Sequence, residues 1–421
     1  MTSVQTDAGA DSAPSLDGSQ TPDSNPASVS LPFRQPSVLA AVTIVLALGA
    51  AAYILHTHGH AVHSLSVVFG AAFGAVLQRS RFCFFCMFRD WYDKRDPRGL
   101  LGLLVALAVG ILGYTVVFGA WLPDATTGRL PPDAFIGPVS VALIGAGLAF
   151  GAGMAISGSC VSAHLYRLGE GSPTAPFALV GTVAGFVLGF YTWNAIYLAA
   201  VADAPTVWLP RWLGYAGASL AAFAVLILIA IALTRAPRRI EKSYPADSDF
   251  LIAVFIDRWP AWIGGAIVGA LGAASYLRVA PLGVTAEIGS RARQAANAAG
   301  ILPDRLEGLD TLRGCIAIAQ DALLSPNGAF VLALIAASFA AALVARQFKP
   351  SRPNAGQIMR GLIGGTLLGW GAMTGLGCTV GTLLSGIMAG ALSGWTFGAA
   401  VFAGTAITLW TGRRLGLLSY A

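Results

Sequence analysis

Long uncharged stretches dominate the chain. Between Gln35 and Gln78 there is no Asp, Glu, Lys or Arg, and Leu362–Gly412 is likewise uncharged throughout. Six shorter gaps repeat the pattern: Gly99–Pro123, Ala134–Tyr166, Gly171–Ala202, Trp212–Thr234, Trp259–Leu277 and Ala322–Ala345. A helix that crosses a bilayer needs about 20 consecutive apolar residues. Inside lipid the backbone must satisfy its own hydrogen bonds, which favours helices. The pattern therefore predicts an all-α, polytopic membrane helix bundle.

Composition strengthens this. Of 421 residues, 56% are hydrophobic and 11% charged, against about 25% charged in soluble domains. A mean hydropathy of +0.69 leaves too little polar surface to cover one water-soluble globule. The pI near 9.2 does not point to nucleic acid, because the basic residues fall between apolar spans, where they set membrane orientation. The 51 glycines suit close helix packing and broken helices. Five cysteines, with no paired spacing, do not form a secreted disulfide framework.

Residues 1–34 form a Ser/Asp/Pro/Thr-rich tail with no basic residue before Arg34, and are expected to be disordered. They lack the charged start and apolar core of a cleavable signal. The membrane domain is expected over 35–421. Basic clusters at Arg79–Arg98, Arg235–Lys242, Arg346–Arg360 and Arg413–Arg414 alternate with loops such as His56–His63, which has no Lys or Arg. Placing all four clusters in the cytoplasm puts both termini inside an inner (cytoplasmic) membrane, with roughly ten crossings. Periodicity leaves 278–324 unresolved.

Several segments are too short or too Gly-rich to be plain spans, among them Ser64–Leu77 and Pro281–Gly289. Two more, Gly145–Cys160 and Gly361–Cys378, are rich in small residues and each ends at a cysteine. Shifted by 218, they match Gly147 with Gly365, Gly151 with Gly369, Gly153 with Gly371 and Cys160 with Cys378. An internal pseudo-repeat, with halves of about 36–234 and 255–412, accounts for this. Gly-interrupted segments in matching positions of two halves point to a transport site built of short, re-entrant helices around a central path.

Three motifs carry chemistry: RSRFCFFCMFRDW with Cys83 and Cys86, SGSCVSAHLYRLGEG with Cys160, and GLGCTVGTLLSG with Cys378. Together with the SGIMAGALSGWTFG tail, they resemble the YeeE/YedE sulfur-transport family of bacterial membrane proteins over roughly residues 64–412. At the second motif Cys160 is followed by Val-Ser-Ala-His, where the family pattern has a nearby Gly. The resemblance implies thiosulfate uptake past three pathway cysteines, which map to Cys83, Cys160 and Cys378. Arg81, Gly158, Gly377 and Thr379 are the adjoining support positions. It also implies a separate small cytoplasmic sulfurtransferase-type partner.

Physical chemistry fits that expectation. Thiosulfate is a dianion with a soft terminal sulfur and a hard sulfonate end. A thiol is a weak donor and a polarizable acceptor suited to the soft end. Free N–H groups at inward-facing helix N-termini suit the oxygens. Weak serial sites let an ion leave as well as enter. No Walker A sequence is present, and no cofactor or metal is expected.

Two other functions compete. The Cys83–Phe84–Phe85–Cys86 spacing allows a membrane thiol oxidoreductase, although no thioredoxin-like context surrounds it. Cysteines also allow a soft-metal transporter, although isolated thiols and six Met suit that poorly. Further residues have bland readings. Cys86 and Cys315 read as packing, Arg79, Arg81 and Arg89 as topology determinants or a cationic funnel, and Arg167 with Glu170 as a loop ion pair. His56, His58, His60 and His63 read as a solvated loop. Glu287 is the one acid beside a short segment, and so a candidate for proton coupling.

Overall fold

A computed structural model describes residues 36–235, 250–303, 305–309, 312 and 324–416. The tail over 1–34 and Cys315 lie outside the described residues. Fifteen α-helical segments and no β-strands occur among them. The first half of the chain gives α1 (Pro36–Thr57), α2 (Ala61–Ser80), α3 (Phe84–Lys94), α4 (Arg98–Trp121), α5 (Val141–Ser157), α6 (Val161–Gly169) and α7 (Ala175–Ile196). The rest gives α8 (Leu209–Arg235), α9 (Phe250–Phe255), α10 (Ala261–Arg278), α11 (Ala286–Ala298), α12 (Pro326–Val344), α13 (Ala355–Thr374), α14 (Gly386–Met388) and α15 (Leu392–Arg414). A π-helical stretch, Thr379–Ser385, leads directly into α14.

The apolar runs become the long helices, and polar caps fix where they start. The Ser140 hydroxyl accepts the Leu143 N–H at 3.1 Å, and the Ser325 hydroxyl accepts that of Gly328 at 2.9 Å. At α13, Asn354 and Gln357 cap each other reciprocally, at 2.8 and 3.0 Å. Each cap gives a partner to an N–H that the first helical turn leaves free.

Among the described residues, eight helical spans are long and apolar enough to cross a membrane, and the bent pair of α13 with Thr379–Met388 makes a ninth. Two of those eight take in a broken helix pair each, α2 with α3 and α5 with α6. The expectation was roughly ten crossings. Ser64–Leu77, expected to be too short to span, is the middle of a 20-residue helix that Gln78 and Arg79 extend. Of the Pro281–Gly289 segment, only the last part is helical, as the start of α11.

The packing is reciprocal. α2 lies against α12 while α4 lies against α10; α5 lies against α15 while α7 lies against α13. Small residues allow the close approach. A Cβ on Gly153 of α5 would stand 2.6 Å from the Gly364 carbonyl of α13, and one on Gly364 would stand 2.6 Å from the Ser157 nitrogen. α1 and α8 lie outermost, and Leu39, Leu46, Leu220 and Leu228 are exposed on them, as suits lipid-facing helices.

One end of the bundle gathers the basic loops. There Arg413 pairs with Asp93 at 2.6 Å, Lys349 N–H donates to the Glu170 carbonyl at 3.1 Å, and Gln78 donates to Gln347 at 2.8 Å. At the opposite end Trp193 donates to the Glu307 carbonyl at 2.8 Å and Tyr276 to that of Pro132 at 2.6 Å.

Candidate functional site

Three helices break in the same way. A residue in the left-handed region follows each leading helix, as its C-cap at Arg81 (φ 49) and Gly158 (φ 83) and one residue beyond the Gly375 cap at Leu376 (φ 58). Two residues later comes a cysteine, Cys83, Cys160 or Cys378, in extended backbone at the N-cap of the following helix. The left-handed residue turns the chain so that orphan carbonyls of the first helix are satisfied. Phe82 N–H accordingly reaches the Leu77 carbonyl at 3.1 Å, and Gly377 N–H that of Ala372 at 2.8 Å. The cysteine then stands where free N–H groups and the positive end of the next helix dipole converge.

The segment joining α10 to α11 is a fourth interruption without this signature. None of residues 279–285 has positive φ, and Thr285 occupies the N-cap. Its hydroxyl is buried without a hydrogen-bond partner.

Two of the three breaks meet. The Cys83 thiol lies within hydrogen-bonding reach of both the Cys160 and the Cys86 thiols. The backbone N–H groups of Phe84 and Ala163, from the first turns of α3 and α6, face the Cys160 sulfur. The Cys86 N–H donates to Cys83 Sγ at 3.5 Å, and Ser162 Oγ lies 3.3 Å from Cys160 Sγ. His164 Nε2 is 3.0 Å from Ser157 Oγ, which in turn donates to the Gly153 carbonyl at 2.8 Å.

Cys378 stands at its own break, and among the described residues no hydrogen bond joins it to that cluster. Its carbonyl accepts the N–H groups of Thr382 (2.8 Å) and Leu383 (3.4 Å) as the π-helix begins. The Thr379 hydroxyl next to it is buried with no hydrogen-bond partner, and so is that of Thr374. Cys83, Cys160 and Cys378 are free thiols with no exposed surface. Two cavities of about 270 Å³ each flank the bundle, and neither is lined by a cysteine.

The support positions act through the backbone. Arg81 is exposed and supplies the left-handed turn that ends α2. Gly158 does the same for α5, and its carbonyl lies 3.4 Å from Arg167 Nη1. At Gly377 a Cβ would stand 2.6 Å from Thr382 Oγ1, so that hydroxyl closes over the backbone before Cys378. Thr379 opens the π-helix.

Other expectations need correction. Arg167 and Glu170 form no ion pair among the described residues. The helix ends between them, and Glu170 turns to Gln78 (3.3 Å) while Arg167 donates to Cys86 Sγ at 3.1 Å. Burial pushes the Glu170 carboxyl above its usual range, with Arg167, Arg81 and Gln78 pulling back. Cys86 is therefore a hydrogen-bond acceptor as well as packing. Arg89 pairs with Asp90 at 2.9 Å, and Arg79 is buried where its carbonyl meets Trp259 N–H, so the three arginines do not line one funnel.

Glu287 is fully engaged: Arg291 donates to it at 2.7 Å, the Ser325 hydroxyl contacts it, and its own N–H reaches Asn327 at 3.0 Å. It anchors α11 to α12. Of the loop histidines, His58 contacts the Ile54 carbonyl and His63 that of Leu324, while the His60 and His63 rings meet edge-on at 5.8 Å.

Comparison with known proteins places this geometry. A family model described as sulphur transport matches residues 79–407. A thiosulfate transporter, TsuA of Escherichia coli (strain K12), is 26% identical over 344 residues, covering 78% of this chain and 88% of the relative. TsuA of Spirochaeta thermophila is 29% identical over 345 residues, covering 77% and 92%. A probable transporter, YedE of E. coli, is 31% identical over 173 residues, covering 39% and 40%.

Proposed function

Since this chain belongs to the sulphur transport family, we propose that it imports thiosulfate, passing the anion between the thiols at its three helix breaks. The observation that carries this is the recurrence of one device. A left-handed turn, a spacer and a cysteine cap occur at Cys83, Cys160 and Cys378, each at the start of a short or π-helical segment.

The device suits the ion. The thiol meets the soft terminal sulfur, and the free N–H groups behind it meet the sulfonate oxygens. No Asp or Glu occurs in Arg81–Cys86, Gly158–Cys160 or Leu376–Ser385, so no side chain of these segments repels the anion. No contact at a single thiol is strong, which favours release to the next station, and the anion moves without forming a covalent bond. Each thiol is sealed from solvent in this structure, so passage requires the breaks to shift. π-helical turns are uncommon and recur at functional sites, which supports Thr379–Ser385 as a moving part.

The basic end faces the cytoplasm in this proposal, with both termini inside the inner membrane. A separate cytoplasmic sulfurtransferase-type protein would consume the arriving ion there. The two matching halves, about 36–234 and 255–412, supply the two sides of the path.

The test is growth on thiosulfate as sole sulfur source, in a bacterium lacking its own thiosulfate uptake. Wild type should rescue growth; Cys160→Ala and Cys378→Ala, present in the membrane at equal level, should not. Rescue by all three would leave a transporter but end the thiol path. Failure of well-expressed wild type would end the thiosulfate assignment.

A further inference from the structure

Arg167 sits beside the cysteine cluster and lacks the direct carboxylate partner that three arginines at the same end have. Arg89, Arg98 and Arg413, at the same end of the bundle, each lean on a carboxylate: Asp90 at 2.9 Å, Asp96 at 2.7 Å and Asp93 at 2.6 Å. Among the described residues no carboxylate lies within ion-pair distance of Arg167. Its Nη2 donates instead to Cys86 Sγ at 3.1 Å and its Nη1 to the Gly158 carbonyl at 3.4 Å, and the Tyr166 hydroxyl is also within its hydrogen-bonding reach. A thiol is a weak acceptor, and a partly buried guanidinium whose nearest acid, Glu170, acts on it only from beyond ion-pair distance is incompletely compensated. The guanidinium thus keeps capacity for a further anionic partner in direct contact.

Its surroundings specify which charge. Cys86 is within reach of Cys83, and Cys83 of Cys160. Three soft sulfur atoms thus run from the paired N-termini of α3 and α6 up to a guanidinium. A ligand that fills this row is soft at one end and anionic with several oxygens at the other.

We infer that Arg167 reads the charge of the passing anion. The sulfonate oxygens displace Cys86 from the guanidinium, while the terminal sulfur rests against Cys83 and Cys160. The inference rests on the thiosulfate reading above and deepens it. It gives Cys86 a purpose: its thiol holds the guanidinium in position between passages and yields easily. A carboxylate in its place would form a competing buried ion pair and refuse the exchange. Arg167 recognises oxygens and charge, and the thiols recognise the soft sulfur, so an anion that lacks either feature is disfavoured.

The experiment measures labelled-thiosulfate uptake by the full chain reconstituted in lipid vesicles. Wild type is compared with Arg167→Gln, Arg167→Lys and Cys86→Asp. Arg167→Gln should raise KM about tenfold with little change in maximal rate, the loss expected for one charge-assisted contact. Arg167→Lys should recover part of that loss. Cys86→Asp, which leaves Arg167 in place but occupies it, should raise KM about as much.

The competitor methanethiosulfonate keeps the soft sulfur but carries one charge fewer, so its inhibition should weaken less than thiosulfate binding in Arg167→Gln. Wild-type KM in both Arg167→Gln and Cys86→Asp overturns the inference and leaves thiosulfate transport standing. If Arg167→Gln does not reach the membrane, Cys86→Asp alone decides. Wild-type vesicles that take up no thiosulfate overturn the transport proposal, and the inference falls with it.

Discussion

The breaks at Cys160 and Cys378 share a backbone and differ in what surrounds it. An offset of 218 sets Gly158 against Leu376, Cys160 against Cys378, Val161 against Thr379 and His164 against Thr382. Both chains turn through the left-handed region two residues before the cysteine and resume helix directly after it. Beyond Cys160 the helix is regular, and Ser157, His164 and Arg167 surround the turn with donors. Beyond Cys378 the helix is of π type, and the hydroxyl beside it has no hydrogen-bond partner. The backbone decides where a thiol and free N–H groups stand. The side chains decide whether the break offers charge or hydroxyls, and the proposed path, which must both attract and release an ion, has use for each.

The helices leading into the two breaks cross at Gly153 and Gly364, and this contact carries the largest expected effect. A Cβ at either glycine falls 2.6 Å from a backbone atom of the facing helix. Relief would require α5 and α13 to part, yet each is also packed on another helix, α15 and α7 respectively. Gly364→Leu should therefore prevent recovery of folded, monodisperse protein, since overpacking costs about 1–3 kcal/mol or more. Normal chromatography and uptake for this variant would mean that the two breaks are not held together through this crossing.

A smaller effect separates the turns themselves. Gly158 and Leu376 hold the same conformation, but only Gly158 does so without a steric penalty. Gly158→Leu should lower the melting temperature in detergent, at a cost of about 1–2 kcal/mol. Leu376→Gly should change it little, because relieved strain offsets the added freedom of the unfolded chain. Equal melting of Gly158→Leu and wild type would show that packing, not backbone preference, selects glycine there.

Much of this was legible in the sequence, for reasons the turns explain. Uncharged runs marked the helices, because lipid tolerates little else. Gly-rich stretches ending in Cys160 and Cys378 marked two breaks, because the small residues that let α5 and α13 approach are visible as composition. The third break was harder. Arg81 and Leu376 have side chains that ordinarily avoid the left-handed region, so only tertiary packing reveals that they adopt it. The partner of Arg167 was also hidden. Spacing favoured Glu170, and the end of α6 turned that acid away toward Gln78. Placing Cys86 beside the guanidinium required α3 and α6 to be seen side by side.

The finest distinction between the breaks is one atom pattern, Val161 against Thr379. Both open the helix after the cysteine of a break, and both are fully buried. The Thr379 hydroxyl has no hydrogen-bond partner, and an unsatisfied buried polar group costs about 1–3 kcal/mol. The protein keeps it although Val161, at the matching position of the other break, is apolar. If the hydroxyl serves the anion, Thr379→Val should melt at the wild-type temperature or slightly above it. Its KM for thiosulfate should rise a few-fold, the worth of about one neutral hydrogen bond. A variant that is less stable yet transports with unchanged KM would assign the hydroxyl to the fold instead. The Cys378 station would then differ from the Cys160 station in helix type alone.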